Sequence, residues 1–213
     1  MRTAAELNRR YFHDAYESGK HGWQSHRPSP YVEANLRRIL ERAPAGRLLD
    51  LGCGEGRHCL LAAHMGFEAV GVDLEPLAIY RAREQAQRAG LHGAVQFVVA
   101  DILTPPFAPG AFDVLVDYGC LHHQPKADWA RYLAAVRTVL KPGGYLTLSV
   151  FSTAFRTFGP QHRPWHLAHG AYRRFFTPGD LHALFDEAFE FAHLEEEREG
   201  VRGFWHALLI RRP

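Results

Sequence analysis

Lysine is scarce in this chain. Lys20, Lys126 and Lys141 are the only three, and the remaining basic character comes from scattered arginines. With no dense Lys/Arg block and a net charge of +2, a nucleic-acid partner is not expected. Cysteine is equally sparse: Cys53, Cys59 and Cys120 are three in number and widely spaced, which argues against a disulfide framework. No apolar run reaches the length that crosses a bilayer, so no membrane partner is expected. Met1 to Tyr16 is polar and amphipathic, without the apolar centre of a signal peptide. A cytoplasmic protein, monomer or homodimer, is the expectation. Repeats and low-complexity tracts are missing too. What is present is ordinary for a globular chain: 213 residues, 46% hydrophobic and 23% charged, enough for one domain over 1–213 with a sizeable core.

Against that background one stretch stands out. Asp50-Leu51-Gly52-Cys53-Gly54-Glu55-Gly56 follows the apolar pair Leu48-Leu49 and precedes helix-friendly residues from His58 to Met65. Glycine at every second position lets the backbone take positive φ and lets a ligand approach the main chain. The helix that follows offers unpaired N–H groups to polar or anionic parts of a nucleotide-like molecule. Phe67 to Asp73 then reads as a second strand that ends in a carboxylate, suited to the two ribose hydroxyls of an adenosine. A dinucleotide fingerprint would place its third glycine at position 57, where Arg57 stands; the third glycine here is Gly56.

Strand-like and helix-like runs alternate from residue 46 onward, the pattern of an α/β fold with a largely parallel sheet. Gly66 and Gly90 read as helix stops, and Pro76 suits a first helical turn. Val95–Ala100, Phe112–Asp117 and Tyr145–Phe151 read as the third to fifth strands, with a turn forced by Lys141-Pro142-Gly143-Gly144. Thr177-Pro178 starts a further helix. Two last strands are expected near Phe189–Leu194 and Phe204–Ile210. Residues 152–176, rich in His, Arg, Pro and aromatics, break the rhythm after the fifth strand. Ligands of open α/β sheets sit beyond the strand C-termini, so this insertion reads as a lid, with a plain surface loop as the alternative.

Asp-Leu-Gly-Cys-Gly-x-Gly followed by Gly71-Val72-Asp73, with Phe112-Asp113-Val114 and Leu140-Lys141-Pro142-Gly143-Gly144, resembles the class I S-adenosylmethionine-dependent methyltransferases from Arg47 to the C-terminus. The resemblance implies a Rossmann-like, seven-stranded, mostly parallel sheet with helices on both faces. It implies S-adenosyl-L-methionine as cofactor, with Gly52, Cys53 and Gly54 at the glycine turn lining its methionine portion and Asp50 beside them among the cofactor-binding residues. Asp73 would hold the ribose, Leu74 would flank the adenine, Asp101 would take the adenine amino group and Ile102 would offer backbone. Tyr118 would lie where cofactor and acceptor meet. Trp23-Gln24-Ser25-His26-Arg27-Pro28-Ser29-Pro30 and Asp117-Tyr118-Gly119-Cys120-Leu121-His122 resemble stretches of the small tellurite-resistance and thiopurine/thiol S-methyltransferase groups. There residues 1–45 would form a cap over the cofactor, with Trp23 over the sulfonium and Arg27 on the carboxylate. Tyr118 replaces an arginine common in those groups, which leaves the acceptor open.

Methyl transfer needs alignment, exclusion of water and control of the acceptor's protonation. A thiol, with a pKa of about 8.5, would give up its proton to a nearby imidazole at neutral pH. His122 is the first candidate for that base and His123 the second, with loop capping as the alternative for each. Asp117 would orient a histidine, bind a polar acceptor or bond to backbone at the strand end. His162, His166 and His169 have helical spacing, yet no carboxylate or cysteine accompanies them, and no metal is expected. Tyr172-Arg173-Arg174-Phe175-Phe176 would grip an anionic acceptor or pack on the last helix. Cys120 is expected to pack. Three functions follow: transfer to a small thiol or similar soft nucleophile, transfer to oxygen or nitrogen of a metabolite, natural product or metalloid oxyanion, and a non-catalytic cofactor-binding protein.

Overall fold

A computed structural model describes residues 4–19, 23, 27–155, 165–168 and 170–213, with the backbone alone for 4, 5 and 165–168. Two helices precede the sheet, α1 (Ala4–Ser18) and α2 (Pro30–Leu40). Then come β1 (Arg47–Leu51), α3 (Arg57–His64), β2 (Glu68–Asp73), α4 (Pro76–Arg88), β3 (Val95–Val99) and β4 (Phe112–Tyr118). After two short 3-10 turns follow α5 (Trp129–Val139), β5 (Leu140–Phe151), a hairpin of β6 (Trp165–Ala168) and β7 (Ala171–Arg174), α6 (Pro178–Phe185), β8 (Phe189–Glu199) and β9 (Arg202–Arg211).

The seven-stranded sheet has the order β3-β2-β1-β4-β5-β9-β8. Pairing is parallel from β3 across to β5, while β9 runs antiparallel to both neighbours. Chain order reverses between β1 and β4, so a crevice opens beyond their C-terminal ends. Both faces of the central strands are covered, and Leu48, Leu49, Val114, Leu115 and Val116 are all at most 1% exposed. Each such side chain contributes about 1.5–3 kcal/mol on burial.

Local chemistry sets the helix starts. Pro30 and Pro76 stand in first turns, and the Glu75 carboxylate accepts the Leu77 N–H at 3.3 Å. Thr177 and Asp180 form a reciprocal capping box on α6. Helix α2 buries Val32, Leu36 and Ile39, and pins itself to the sheet through Asn35, whose amide donates to Thr147 Oγ1 and to the Ala207 carbonyl.

Two expectations need correcting. Lys141–Gly144 does not separate a helix from a strand; it bulges within β5, whose register jumps from Phe112 opposite Leu140 to Val114 opposite Tyr145. The C-terminal part of the 152–176 insertion is no plain surface loop either. It returns as the β6–β7 hairpin, and Ala171, Arg173, Phe175 and Phe176 are buried. Backbone bonds from Ser152 N–H to the Gly203 carbonyl, and from Phe176 N–H to the Phe151 carbonyl, stitch it to the sheet. Apolar Phe175 and Phe176 leave water only where the chain turns back onto the core. His166 lies in β6 and not on a helix; its side chain, and His162 and His169, lie outside the described residues. Gln24, Ser25 and His26 lie outside them too.

Candidate active site

β1 runs into Gly52, Gly54 and Gly56 at φ of 68°, 55° and 84°, so the turn needs the left-handed freedom of glycine. It is also tightly enclosed. A Cβ on Gly54 would come within 2.8 Å of Tyr16 Oη, and one on Gly52 within 3.0 Å of Cys120 Sγ. Beside the turn, Gly54 N–H donates to Asp73 Oδ2 and Glu75 N–H to Asp73 Oδ1, each at 2.9 Å. These bonds fix the carboxylate and leave each oxygen capacity for a further donor, as two ribose hydroxyls require. Burial raises the Asp73 pKa, and the N–H bonds from Glu75 and Gly54 oppose that rise. Past β3, Asp101 Oδ1 accepts the Leu103 N–H at 2.9 Å. Leu74 and Val99 remain 44% and 47% exposed, an apolar surface next to the two acids. Ile102, 5% exposed, packs into the core and leaves only its backbone for a ligand. A tight glycine cradle, a fixed acid at the end of β2 and exposed apolar side chains fit S-adenosylmethionine.

Asp50 and Cys53 play supporting parts. Asp50 is 1% exposed, so its carboxylate lies beneath the turn, where Cys59 Sγ donates to it at 3.6 Å. Burial pushes its pKa up to about 7. Cys53 is buried with its thiol toward the Gly54 carbonyl, and its own N–H donates to the Val72 carbonyl. The Asp50 side chain thus supports the turn from below.

Past β4 the chain enters a 3-10 turn at Leu121–His123. Asp117, 0% exposed, organises it: the N–H groups of Cys120 and Leu121 and the Tyr132 hydroxyl all donate to its carboxylate, at 2.7, 3.0 and 2.7 Å. Of the three expected roles for Asp117, bonding to backbone at the strand end is the one its geometry serves, and orienting a histidine is not. Burial carries its pKa up to about 6 despite these donors.

The two histidines differ in tautomer. His122 is 3% exposed, stacks on Phe151 at 3.7 Å, and accepts the Phe151 N–H on Nδ1 at 3.2 Å. Its proton in the neutral ring is therefore on Nε2, which makes it a poor proton acceptor. His123 has the reverse arrangement. Its Nδ1–H donates to the Tyr172 carbonyl at 2.8 Å, leaving the Nε2 lone pair available. Burial lowers the His123 pKa to about 4, with the Tyr172 bond opposing and Arg173 assisting that fall. Of the two expected bases, His123 keeps its Nε2 lone pair clear of the bond its ring makes, while His122 spends its lone pair on the Phe151 N–H.

Helix α1 joins the two halves of the site through residues four apart. Asn8 Nδ2 donates to the His123 carbonyl at 2.5 Å, and its Oδ1 accepts the Tyr172 N–H at 2.7 Å. Phe12 meets the His123 ring edge-on at 5.0 Å. Tyr16 stands over Gly54 and accepts the Trp23 indole N–H at 3.1 Å. Asn8, Phe12 and Tyr16 share one helical face, about 12 Å long at 1.5 Å per residue. The sequence reading named none of them, although their i, i+4, i+8 spacing was there to find. Arg81 fastens the same end of α1 by donating to the Tyr16 carbonyl while pairing with Glu55. Arg27 is exposed.

Tyr118 turns away from the histidine pair, toward the side of α3. The Arg57 guanidinium lies 5.1 Å from its ring centroid, with His58, Phe204 and His206 as ring neighbours. His206 is itself held between Ser149 Oγ and Glu197 Oε2 at 2.8 and 3.1 Å, beneath a parallel Tyr31 ring at 3.7 Å. This relay was not foreseen either. With Ser149 only 1% exposed it supports the aromatic wall and offers no nucleophile.

Comparison with known proteins agrees with this geometry. Residues 48–144 match a family model described as a methyltransferase domain. The chain is 32% identical over 160 residues to 24-methylenesterol C-methyltransferase 2 of Oryza sativa subsp. japonica, covering 73% of this chain and 43% of that protein. It is 39% identical over 115 residues to demethylmenaquinone methyltransferase of Thermus thermophilus, covering 53% of this chain and 50% of that one. It thus spans half or less of the length of these two curated relatives. The crystal structure of Burkholderia thailandensis 1,6-didemethyltoxoflavin-N1-methyltransferase, with bound 1,6-didemethyltoxoflavin and S-adenosylhomocysteine, superposes with a TM-score of 0.81 at 25% identity, covering 100% of this chain and 92% of that one. The sheet order, the glycine turn with its paired acid and these likenesses together identify a methyltransferase domain of the class I, S-adenosylmethionine-dependent kind.

Proposed function

We propose that this chain transfers a methyl group from S-adenosylmethionine to a heteroatom of a small planar molecule, at oxygen or ring nitrogen in the first place. One observation carries the reading. A single face of α1 spans from Tyr16 over the glycine turn to Asn8 and Phe12 at His123, so cofactor and acceptor ends share one roof. When bound, the cofactor supplies a methyl on a positively charged sulfur, and the C–S bond breaks with its electron pair returning to sulfur as the acceptor's lone pair bonds to carbon.

The chain's own residues do the rest. Asp73 and Asp101 orient the nucleoside; Trp23, through its bond to Tyr16, covers the sulfonium end, and Arg27 meets the carboxylate. Phe12 and Phe151 exclude water beside the histidines, and the His123 Nε2 lone pair receives the acceptor's proton. The described part of residues 152–176 closes the acceptor side as a lid.

Three of the similar proteins are named for small molecules, a methylenesterol, demethylmenaquinone and 1,6-didemethyltoxoflavin, and that supports a small-molecule acceptor. A net charge of +2 without a basic block supports the exclusion of nucleic acid. No described helix is long and apolar enough to cross a membrane, in keeping with a cytoplasmic place of action. The thiol is the second reading. It is favoured by the weakness of His123, because a thiol ionises by a few per cent at pH 7 without help. Methyl transfer from labelled S-adenosylmethionine to a panel of phenols, acidic ring N–H heterocycles, amines and thiols separates the two. Transfer to phenols or heterocycles is expected. Transfer confined to thiols would replace the first reading by the second, and cofactor binding without any transfer would leave the non-catalytic one.

A further inference from the structure

Asparagine suits a helix interior poorly, because its amide competes for backbone hydrogen bonds. Asn8 nevertheless stands in the second turn of α1 and is 8% exposed. A buried side-chain amide costs stability unless both of its ends are bonded. Both are, and each to a backbone group: Nδ2 donates to the His123 carbonyl at 2.5 Å, and Oδ1 accepts the Tyr172 N–H at 2.7 Å. A carbonyl only accepts and an N–H only donates, so these two partners fix which end of the amide is which.

Tyr172 closes a ring of bonds. Its carbonyl accepts the His123 Nδ1–H at 2.8 Å, so the residue that Asn8 grips is the one that grips the imidazole. His123 is thus clasped twice, by its own carbonyl and by its ring. Phe12, one helical turn on from Asn8, meets that ring edge-on at 5.0 Å, and His122 flanks it at 4.5 Å. The clasp leaves Nε2 out. A neutral imidazole has one donor and one acceptor nitrogen, and the bond made by one sets the state of the other. Burial keeps His123 neutral at pH 7. With the Tyr172 carbonyl in place Nδ1 donates and Nε2 keeps its lone pair. Without it the ring divides between two tautomers, and the Nε2–H form has no lone pair there for a proton.

We propose that Asn8 is a positioning residue of the methyltransferase site: by holding Tyr172 against the 3-10 turn, it fixes His123 as the Nδ1–H tautomer with Nε2 as the basic nitrogen. This deepens the reading of His123 under the proposed function and rests on it. The acceptor's proton goes to the Nε2 lone pair, while its heteroatom keeps the electron pair that bonds to the methyl carbon. The imidazolium so formed retains its Nδ1–H bond to Tyr172 until solvent takes the proton. Tyr16 lies over Gly54 on the same helical face, so one element both sets the base and roofs the glycine turn.

The test reads the tautomer directly, by nitrogen NMR of the imidazole rings in isotope-labelled protein at pH 7. Loss of signals in His123→Gln identifies those of His123. Wild type is expected to show a protonated Nδ1 and an unprotonated Nε2. Asn8→Ala should lower the Nδ1–H population about twofold or more, and single-turnover transfer to an acceptor from the panel should slow by the same factor. Arg81→Gln controls for a merely structural role. It releases the other end of α1, where Arg81 donates to the Tyr16 carbonyl, and should leave the His123 tautomer as in wild type. Circular dichroism checks the fold of each variant. An Nε2–H tautomer in the wild type overturns the proposal without any variant. So does an unchanged tautomer or transfer rate in Asn8→Ala, or an equal tautomer change in Arg81→Gln. Calorimetry of S-adenosylhomocysteine on the wild type separates the two levels. If the product binds and the tautomer ignores Asn8, only the role of Asn8 falls; if the product does not bind, the methyltransferase reading falls and takes this inference with it.

Discussion

Asp73 shows how a residue's chemistry is read before its surroundings are known. Its place at the end of a strand that follows a glycine turn suits it to a ribose, and the structure adds the two N–H bonds that hold its oxygens. Asp73→Ala removes a charged acceptor of two hydrogen bonds, each worth about 1.5–3 kcal/mol. Calorimetry is expected to show cofactor affinity lower by about 100-fold or more, and near-normal binding would sink the ribose assignment. The histidines show where a linear reading stops. Adjacent in sequence, His122 and His123 are distinguished only by the carbonyl of Tyr172 and the N–H of Phe151, which come from 49 and 29 residues away. No local pattern encodes a tautomer. Asp117 is similar: the hydroxyl that helps occupy its carboxylate comes from Tyr132, 15 residues on.

At the scale of elements, strands and helices of the sheet were legible because apolar periodicity, glycine stops and proline starts all act locally. The β6–β7 hairpin was not, since its short strands owe their place to α1 and the 3-10 turn more than to their own propensity. The cradle under the cofactor is likewise a tertiary product. A Cβ at Gly71 would meet Cys53 Sγ at 2.7 Å, Phe97 Cδ1 at 2.8 Å and Cys59 Sγ at 2.9 Å. Gly71→Ala should therefore push Cys53 and the glycine turn out of place. Overpacking of this kind costs about 1–3 kcal/mol, so thermal unfolding should move down while S-adenosylhomocysteine binding weakens. Wild-type values for both would show that the turn has slack the geometry does not reveal.

For the molecule as a whole, burying carboxylates under the site has a stability consequence. Asp50 is carried up to about 7 and Asp117 up to about 6, chiefly by burial, from an ordinary 3.8. The folded protein therefore holds these protons more tightly than the unfolded chain does. Their contribution to stability is full below about pH 4 and is lost as pH rises through 6 and 7. Thermal midpoints should carry a downward component between about pH 4 and pH 7, and Asp50→Asn should flatten it. An unchanged slope in that variant would remove Asp50 as its source. The largely parallel α/β sheet and a ligand site beyond its strand ends were accessible from alternating elements alone, whereas the roof over the crevice was not, because α1 is fastened by Asn8, Arg81 and Tyr16 to partners far along the chain.

The most direct test of that roofed arrangement is single-turnover methyl transfer by His123→Ala, measured with labelled S-adenosylmethionine at saturation and with an acceptor found in the panel. A lost general base slows transfer by about 100-fold or more when base strength limits the step, and by less, near tenfold, when the acceptor is already largely ionised. A fall of roughly tenfold to 100-fold with cofactor affinity unchanged is predicted. Transfer at the wild-type rate would contradict the assignment of His123 to the acceptor end of the site.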